Sequence, residues 1–368
     1  MKALIVASVA SMIDQFNMNN IRILKELGYE VHVACNFVYP GSITKEKTVL
    51  LKIKLKDLDV KFYQIDFSRN IFSIFKHFKA KKQLSTIFKE NTYRIVHCHS
   101  PIGGLITRVV AKKYRKKGTF VIYTAHGFHF YKGAPKKNWI MFYPLEKMCS
   151  KWTDLIITIN KEDYELAKNK MRANVVEYVP GVGINVDSIA SIKVDVAKKR
   201  QEIGVPVDSK MVFSVGELNT NKNHQLVIKA LGIIKDPSIH YVIAGLGELK
   251  DELIALANEC HVNLHLLGFR TDVYELYKCA DLFVLPSIRE GLNVSTMEAI
   301  AAGCRTIVSR IRGNIDMVPI ENCFDPHSVD ELVELLKKDV APNSDFMKIA
   351  NSNNVDKKMR TLYQGFNS

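Results

Sequence analysis

Leu282-Phe283-Val284-Leu285, continuing as Pro286-Ser287-Ile288-Arg289-Glu290-Gly291-Leu292 and then Asn293-Val294-Ser295-Thr296-Met297-Glu298-Ala299, is the stretch that decides the fold. Four consecutive apolar residues read as a strand buried on both faces, and Pro286 and Gly291 interrupt it. From Asn293 onward Val294, Met297, Ile300 and Ala301 recur at helical spacing. A buried strand that turns through a short loop into a helix is the repeating unit of a parallel sheet.

The same unit recurs along the chain. Outward from it, Val- and Ile-rich runs predict strands at 3–7, 30–35, 61–65, 95–97, 120–124, 155–159 and 175–178, and, after a gap, at 211–215, 240–244, 263–267 and 306–308. Helical patterns lie between most of them, for example 14–27, 103–117, 222–234 and 293–302. Strands alternating with helices imply right-handed crossovers, and two runs of the pattern imply two doubly wound α/β domains. The periodic pattern lapses over 180–206, so the first domain is expected over 1–190 and the second over 191–345. A terminal helix within 346–368, carrying Phe346, Ile349, Val355, Met359, Leu362 and Tyr363, is expected to return to the first domain. Ligands of open parallel sheets sit beyond the carboxyl ends of the strands. Two facing domains therefore predict a site in the cleft between them.

Composition narrows the class. With 368 residues, 47% hydrophobic and 24% charged, the chain can bury two cores, which excludes wholesale disorder and a fibre. No apolar run reaches the ~18 residues of a spanning helix, and a strand starting near the first residue is expected to leave no room for a signal peptide. Seven scattered cysteines, never spaced C-x-x-C, read as reduced buried thiols of a cytoplasmic protein. The net charge of +14 is uneven: residues 1–190 hold 31 Lys/Arg against 15 Asp/Glu, and the remainder holds 21 against 23.

Glu290 precedes the helix, and Glu298 lies more than a turn inside it among apolar residues. A carboxylate so placed is either paired or set to accept hydrogen bonds from ligand hydroxyls, while the helix start near Asn293 and Val294 offers N–H groups to an anion. Two glutamates separated by seven residues in this setting resemble the signature of glycosyltransferase family 4, the retaining nucleotide-sugar transferases of GT-B fold. The resemblance continues through Val215-Gly216-Glu217-Leu218-Asn219-Thr220-Asn221-Lys222-Asn223-His224 as a donor phosphate loop and Ala244-Gly245-Leu246-Gly247 at the next strand. Leu267-Gly268-Phe269-Arg270 resembles the nucleobase segment, and Ile311-Arg312-Gly313-Asn314 the loop after the glutamate helix. In the first half, the run from Tyr123 through His126-Gly127-Phe128-His129 to Gly133 and the run Tyr178-Val179-Pro180-Gly181-Val182-Gly183 are similar to the branch that builds bacterial capsular and extracellular polysaccharides.

The resemblance implies a sugar moved from a nucleotide diphosphate donor, with UDP the expected nucleotide and N-acetylated sugars among the candidates, to a saccharide on a polyprenyl pyrophosphate carrier. It assigns Glu298 to the ribose hydroxyls, and Lys222 with the helix start at Leu292, Asn293 and Val294 to the diphosphate. Gly216, Asn219, Gly245 and Arg270 join the donor side. Glu290 and His126 would approach the sugar, with Asn17, His129, Pro180 and Gly181 on the acceptor side. A cation and fixed N–H donors at the diphosphate would stabilise the departing charge, so no metal or other cofactor is expected. The chain departs from the common pattern in having Glu217 where many relatives have Arg, with Arg270 or Arg289 as possible replacements, and in lacking a glycine pair at 8–17.

Two rivals fit parts of the chain: a nucleotide-sugar epimerase of the same fold, which would need further acid/base groups, and a nucleic-acid-binding protein drawn by the basic half, for which no motif is present. The Asp57-Leu58-Asp59 triplet, among lysines, reads as solvated charge rather than a metal site. Ile71, Phe72, Ile74, Phe75 and Phe78 alternate with Lys76, Lys79, Lys81 and Lys82, and Trp139, Met141, Phe142, Tyr143 and Trp152 lie near Lys136, Lys137, Lys147 and Lys151. Each group is either the inner stripe of a crossover helix or a face for an anionic membrane at the inner side of the plasma membrane.

Overall fold

The computed structural model describes residues 1–338, 340 and 345–365. Its first unit comprises Met1–Val182 and the segment from Val355 onward, and its second Gly183–Asn354. The first contains β1 (Lys2–Val6), β2 (Glu30–Cys35), β3 (Lys61–Gln64), β4 (Ile95–His99), β5 (Phe120–Ala125), β6 (Leu155–Thr158) and β7 (Val175–Tyr178). The second contains β8 (Lys210–Val215), β9 (Ile239–Ala244), β10 (Asn263–Gly268), β11 (Leu282–Leu285), β12 (Thr306–Ser309) and β13 (Cys323–Phe324). The sheets run in the orders β3-β2-β1-β4-β5-β6-β7 and β10-β9-β8-β11-β12-β13, and every strand pairing is parallel. Each sheet is therefore doubly wound, and the order reverses once in each, between β1 and β4 and between β8 and β11. Those two reversals are where an open α/β sheet leaves a crevice for a ligand.

The strands are buried because their residues face helices on both sides. Leu4 and Val6 enter one layer of the first unit with Ala80, Leu84 and Phe88, while Ala3 and Ile5 enter the other with Ile21, Leu24 and Leu51. The second unit is layered alike, with Phe213, Phe283 and Met297 on one face and Val212, Tyr241, Val284 and Leu332 on the other. All seven cysteines are unbonded, six of them buried and Cys260 partly exposed.

Three expectations need correction. The boundary falls at Val182/Gly183 rather than at 190/191. The helix expected over 14–27 is two helices, Ala10–Phe16 and Met18–Glu26. They break at Asn17 (φ −124°), where the buried side chain donates to the Met12 carbonyl at 2.8 Å and accepts from Asn20 at 3.0 Å. A polar side chain that bonds locally competes with helix continuation. The terminal helix is also two pieces, Asp345–Ala350 and Ser352–Gln364. Ile184 N–H donates to the Ala350 carbonyl and Ser352 N–H to the Ile184 carbonyl, both at 2.9 Å, and this strand-like bridge at Asn351 interrupts the helix. Phe346, Met347 and Ala350 consequently pack in the second unit. Val355, Met359 and Tyr363 return to the first, on the layer beside β1.

Candidate active site

Loops at the carboxyl ends of β8, β9, β11 and β12 meet at the reversal in the second sheet, and glycines permit the meeting. A Cβ on Gly245 would fall 1.8 Å from the Gly216 carbonyl oxygen, and one on Gly313, whose φ is +80°, would fall 2.1 Å from that of Gly291. The Gly216–Asn223 loop is shaped by Asn219, whose Oδ1 accepts the Lys222 N–H at 3.0 Å while its Nδ2 donates to Glu217 at 2.8 Å. It is tied to the loop after β11 by Ile288 N–H, which donates to the Asn221 carbonyl at 2.8 Å, and by Asn221 Nδ2, which donates to the Arg289 carbonyl at 3.0 Å.

This scaffold brings Lys222 Nζ to Glu290 Oε1 at 2.7 Å, with both side chains mostly shielded from solvent. The glutamate helix, Val294–Ala301, starts at Asn293, whose side chain accepts the Thr296 N–H at 3.1 Å. Asn293 therefore builds the helix start, and Leu292 and Val294 pack partly into the core beneath it. Glu298 is held at both oxygens: Tyr274 donates to Oε1 at 3.2 Å and Tyr277 to Oε2 at 3.1 Å. Burial raises its pKa, and the two phenols oppose that rise. A carboxylate oxygen accepts two hydrogen bonds, so each Glu298 oxygen keeps capacity for one more donor.

Arg270 does not join this group. It pairs with Glu202 at 2.8 Å and with Asp272, and these hydrogen bonds, Asp272's foremost, raise its pKa. The cation that the loops do bring alongside is Arg312, buried, with Nε donating to the Glu290 carbonyl at 3.3 Å. Its sequence signal was an arginine directly before the glycine required at a strand end. The Tyr274/Tyr277 pair carried a weaker one, two tyrosines one helical turn apart.

In the first unit His126 directly follows β5. Its Nε2 lies 3.1 Å from His99 Nδ1, and the Phe16 ring packs edge-on against it at 5.3 Å. His99 follows the same pattern at the end of β4, its ring 4.2 Å from that of His97. His97 is bonded to Thr124 Oγ1 at 2.7 Å and to the Tyr363 hydroxyl at 2.8 Å. Burial lowers all three imidazoles, His97 to about 3, His126 to about 4 and His99 well below the ordinary value. They are neutral at physiological pH. His99 Nε2 is buried with no hydrogen-bond partner among the described residues, and an N–H there would be orphaned at a cost of about 1–3 kcal/mol. The proton of His99 therefore sits on Nδ1 and is donated to His126 Nε2, which assigns the proton of His126 to Nδ1. A neutral imidazole with one N–H to offer suits a sugar hydroxyl.

The other acceptor-side candidates scatter. Asn17 is consumed by the helix break and sets Phe16 against His126. His129 stacks near Phe142 at 4.6 Å, and its carbonyl accepts from Asn138 Nδ2 at 2.9 Å. Pro180 and Gly181 follow β7, two strands from β5, with Gly181 at φ +70°. Asp57 and Asp59 are exposed at the end of the helix Lys45–Asp57. No group of three His, Cys, Asp or Glu among the described residues is placed to hold a metal ion.

Two doubly wound units, the second with a Lys–Glu pair and a tyrosine-held carboxylate at its reversal point, define the GT-B class. Residues 6–160 match the family described as "Glycosyl transferase 4-like" and residues 195–345 that described as "Glycosyl transferases group 1". The chain is 35% identical over 323 residues to EpsD of Bacillus subtilis (strain 168), covering 86% of this chain and 81% of that one. It is 31% identical over 275 residues to the UDP-Gal:alpha-D-GlcNAc-diphosphoundecaprenol alpha-1,3-galactosyltransferase of Escherichia coli, covering 72% and 69%. Among solved structures, Anabaena Alr3699/HepE in complex with UDP and glucose superposes with a TM-score of 0.77 at 15% identity, over 99% of this chain and 100% of that one, a likeness of fold. The chain belongs to glycosyltransferase family 4.

Proposed function

We propose that the chain is a retaining transferase that moves a sugar from a UDP-linked donor to a saccharide carried on polyprenyl diphosphate, in capsular or extracellular polysaccharide synthesis, without a metal ion. The observation that carries the reading is the pairing of Lys222 with Glu290 at 2.7 Å in the same loop cluster that holds Glu298. A donor diphosphate arriving at the helix start gives Lys222 a second anion, so the ammonium can stabilise the leaving group while Glu290 turns to the ring hydroxyls or the anomeric carbon. Glu298 has capacity at each oxygen for one ribose hydroxyl. His126, neutral, is suited to hydrogen-bond a sugar hydroxyl. The named activity of the Escherichia coli relative, on a diphosphoundecaprenol acceptor, supports the acceptor class.

No described helix is long and apolar enough to cross a membrane. The excess of basic residues in the first half supports a reading in which the chain attaches to an anionic leaflet as a peripheral protein at the cytoplasmic face. The decisive experiment is incubation with a panel of UDP-sugars and a synthetic polyprenyl-diphosphate saccharide in EDTA, with product mass and anomeric configuration determined by mass spectrometry and NMR. One sugar added with retained configuration is expected. Absence of transfer with every UDP-sugar, strict dependence on added magnesium or manganese, or an inverted linkage would each overturn the corresponding part of the reading.

A further inference from the structure

At the carboxyl ends of β1, β2 and β3 the first unit has a pocket of about 520 Å³ that the donor site does not use. Its walls are the loop after β2, through Val38 and Tyr39, and the loop after β3, through Asp66 to Asn70. Asn36 stitches the two: its Nδ2 donates to the Phe67 carbonyl at 2.9 Å, and its Oδ1 accepts the N–H groups of Val38 and Tyr39 at 3.0 Å. Arg69, Lys76 and Lys79 reach the pocket. Its one carboxylate, Asp66, is already paired with Lys79 at 2.7 Å and accepts hydrogen bonds from the Gln64 and Gln83 amides at 2.9 and 3.1 Å. Arg69 and Lys76 therefore give it a net positive charge.

Beside these cations stands a row of apolar side chains that the fold leaves in solvent. Phe75 is 91% exposed, Phe72 76%, Phe78 65% and Ile74 60%. The helix Ile74–Glu90 buries a different face, through Ala80, Leu84, Ile87 and Phe88, so the aromatics are not its inner stripe. Ile74 and Phe78 also border an apolar groove with Leu105, Ile106 and Val109. By contrast Trp139, Phe142 and Tyr143 of the second basic segment pack against the core. A cationic pocket edged by exposed aromatics matches a ligand with a multiply charged anion at one end and a hydrocarbon chain at the other.

From this the geometry points to a binding site for the polyprenyl diphosphate of the acceptor, with the diphosphate between Arg69 and Lys76 and the first prenyl units over Phe72, Phe75 and Phe78. The inference rests on the lipid-linked acceptor proposed above and gives that acceptor its anchor. Its place in the sheet fits the direction of the substrate. In the order β3-β2-β1-β4-β5 the pocket lies at the ends of the first three strands and His126 at the end of the fifth. Strands ~4.8 Å apart put about 14 Å between the ends of β2 and β5. A saccharide held at its reducing end by the diphosphate would extend along the strand ends and present its far end to the histidine.

Isothermal titration of the full chain with farnesyl diphosphate, inorganic pyrophosphate, farnesol and phosphatidylglycerol vesicles tests the site, with UDP titrated in parallel. Farnesyl diphosphate is expected to bind more tightly than pyrophosphate, and farnesol not measurably. The double variant Arg69→Gln/Lys76→Gln should weaken farnesyl diphosphate at least tenfold, and Phe75→Ser should weaken it several-fold without changing pyrophosphate. In both, the thermal unfolding curve and UDP affinity should be unchanged. Displacement of farnesyl diphosphate by UDP, or its loss in Lys222→Ala instead, would put the diphosphate in the donor loop and overturn the site. So would unchanged affinity in the double variant, or Phe75-dependent binding of vesicles without any binding of farnesyl diphosphate, which would make the face a leaflet contact. Failure of UDP itself to bind would sink the donor reading, and the farnesyl diphosphate arms would still decide the pocket.

Discussion

The two sheets carry opposite kinds of polar group toward the carboxyl ends of their central strands. In the second unit the strand-end loops hold charge: Lys222 against Glu290, Arg312 behind it, and Glu298 kept between two phenols. In the first unit β4 and the end of the neighbouring β5 hold three neutral imidazoles, each lowered by burial. Charge suits the end of the donor that leaves as a dianion, because fixed cations and N–H donors gain as its charge grows. Neutral hydrogen-bonding groups suit a sugar, whose hydroxyls need orientation and carry no charge. The difference predicts that damage to the first unit's cluster falls on turnover and damage to the second's on nucleotide affinity.

The sharpest break of that contrast is His126→Ala. Turnover should fall by about 10²-fold or more, the scale of losing one well-placed donor to the reacting group, with UDP affinity unchanged by calorimetry. A loss confined to UDP affinity would move His126 to the nucleotide and erase the distinction. Next in size, Glu298→Ala should weaken UDP by ~1.5–3 kcal/mol, the range for hydrogen bonds to a charged group, in a protein that stays folded. Unchanged affinity would remove Glu298 from the ribose.

How these residues were read from sequence follows the same contrast. Twelve of the strands were visible because each is an apolar run between turn residues, whereas β13, with two residues, is too short to show a period. Glu290 stood out because it sits in the short loop after β11 directly before a glycine, Lys222 because it lies in the loop that opens at Gly216, and Glu298 because it is a carboxylate among the apolar residues of a helix. The parts that escaped are assembled across the chain. His99 reaches His126 from β4, Tyr363 reaches His97 from the terminal helix, and Tyr274 reaches Glu298 from the helix before β11. Arg270 shows the same limit: its neighbour Asp272 is visible in the local sequence, whereas its second carboxylate partner, Glu202, comes from far along the chain.

A smaller effect sharpens the donor side. Because burial raises the pKa of Glu298, its carboxylate begins to protonate above the ordinary value of ~4.3. Ribose hydroxyls donate to the ionised form, so UDP affinity should decline on acidification before an exposed glutamate would titrate. Tyr274→Phe removes one of the donors that hold the pKa down and should move the midpoint further up, weakening UDP by ~0.5–1.5 kcal/mol at neutral pH. A midpoint unmoved in calorimetric titrations across pH would mean that Tyr274 does not act on the carboxylate.

The smallest effect tests the neutral cluster from its far end. Tyr363→Phe deletes the hydroxyl bonded to His97 and should cost ~1 kcal/mol in chemical denaturation, with UDP affinity untouched. The pH dependence gives the sign of the cluster's contribution. The folded pKa values of His97 and His126, about 3 and about 4, lie below the ~6.5 of an unfolded histidine. Below that value the unfolded chain therefore binds protons that the folded chain refuses. Stability should be level above about pH 7 and fall as pH drops from about 6.5 toward those folded values. Tyr363→Phe keeps the ring that covers His97, and burial is what lowers that imidazole, so the plateau should drop while the acid slope stays as steep. Denaturation midpoints with a clearly shallower acid slope would show that the Tyr363 hydroxyl, and not burial, keeps the His97 imidazole neutral.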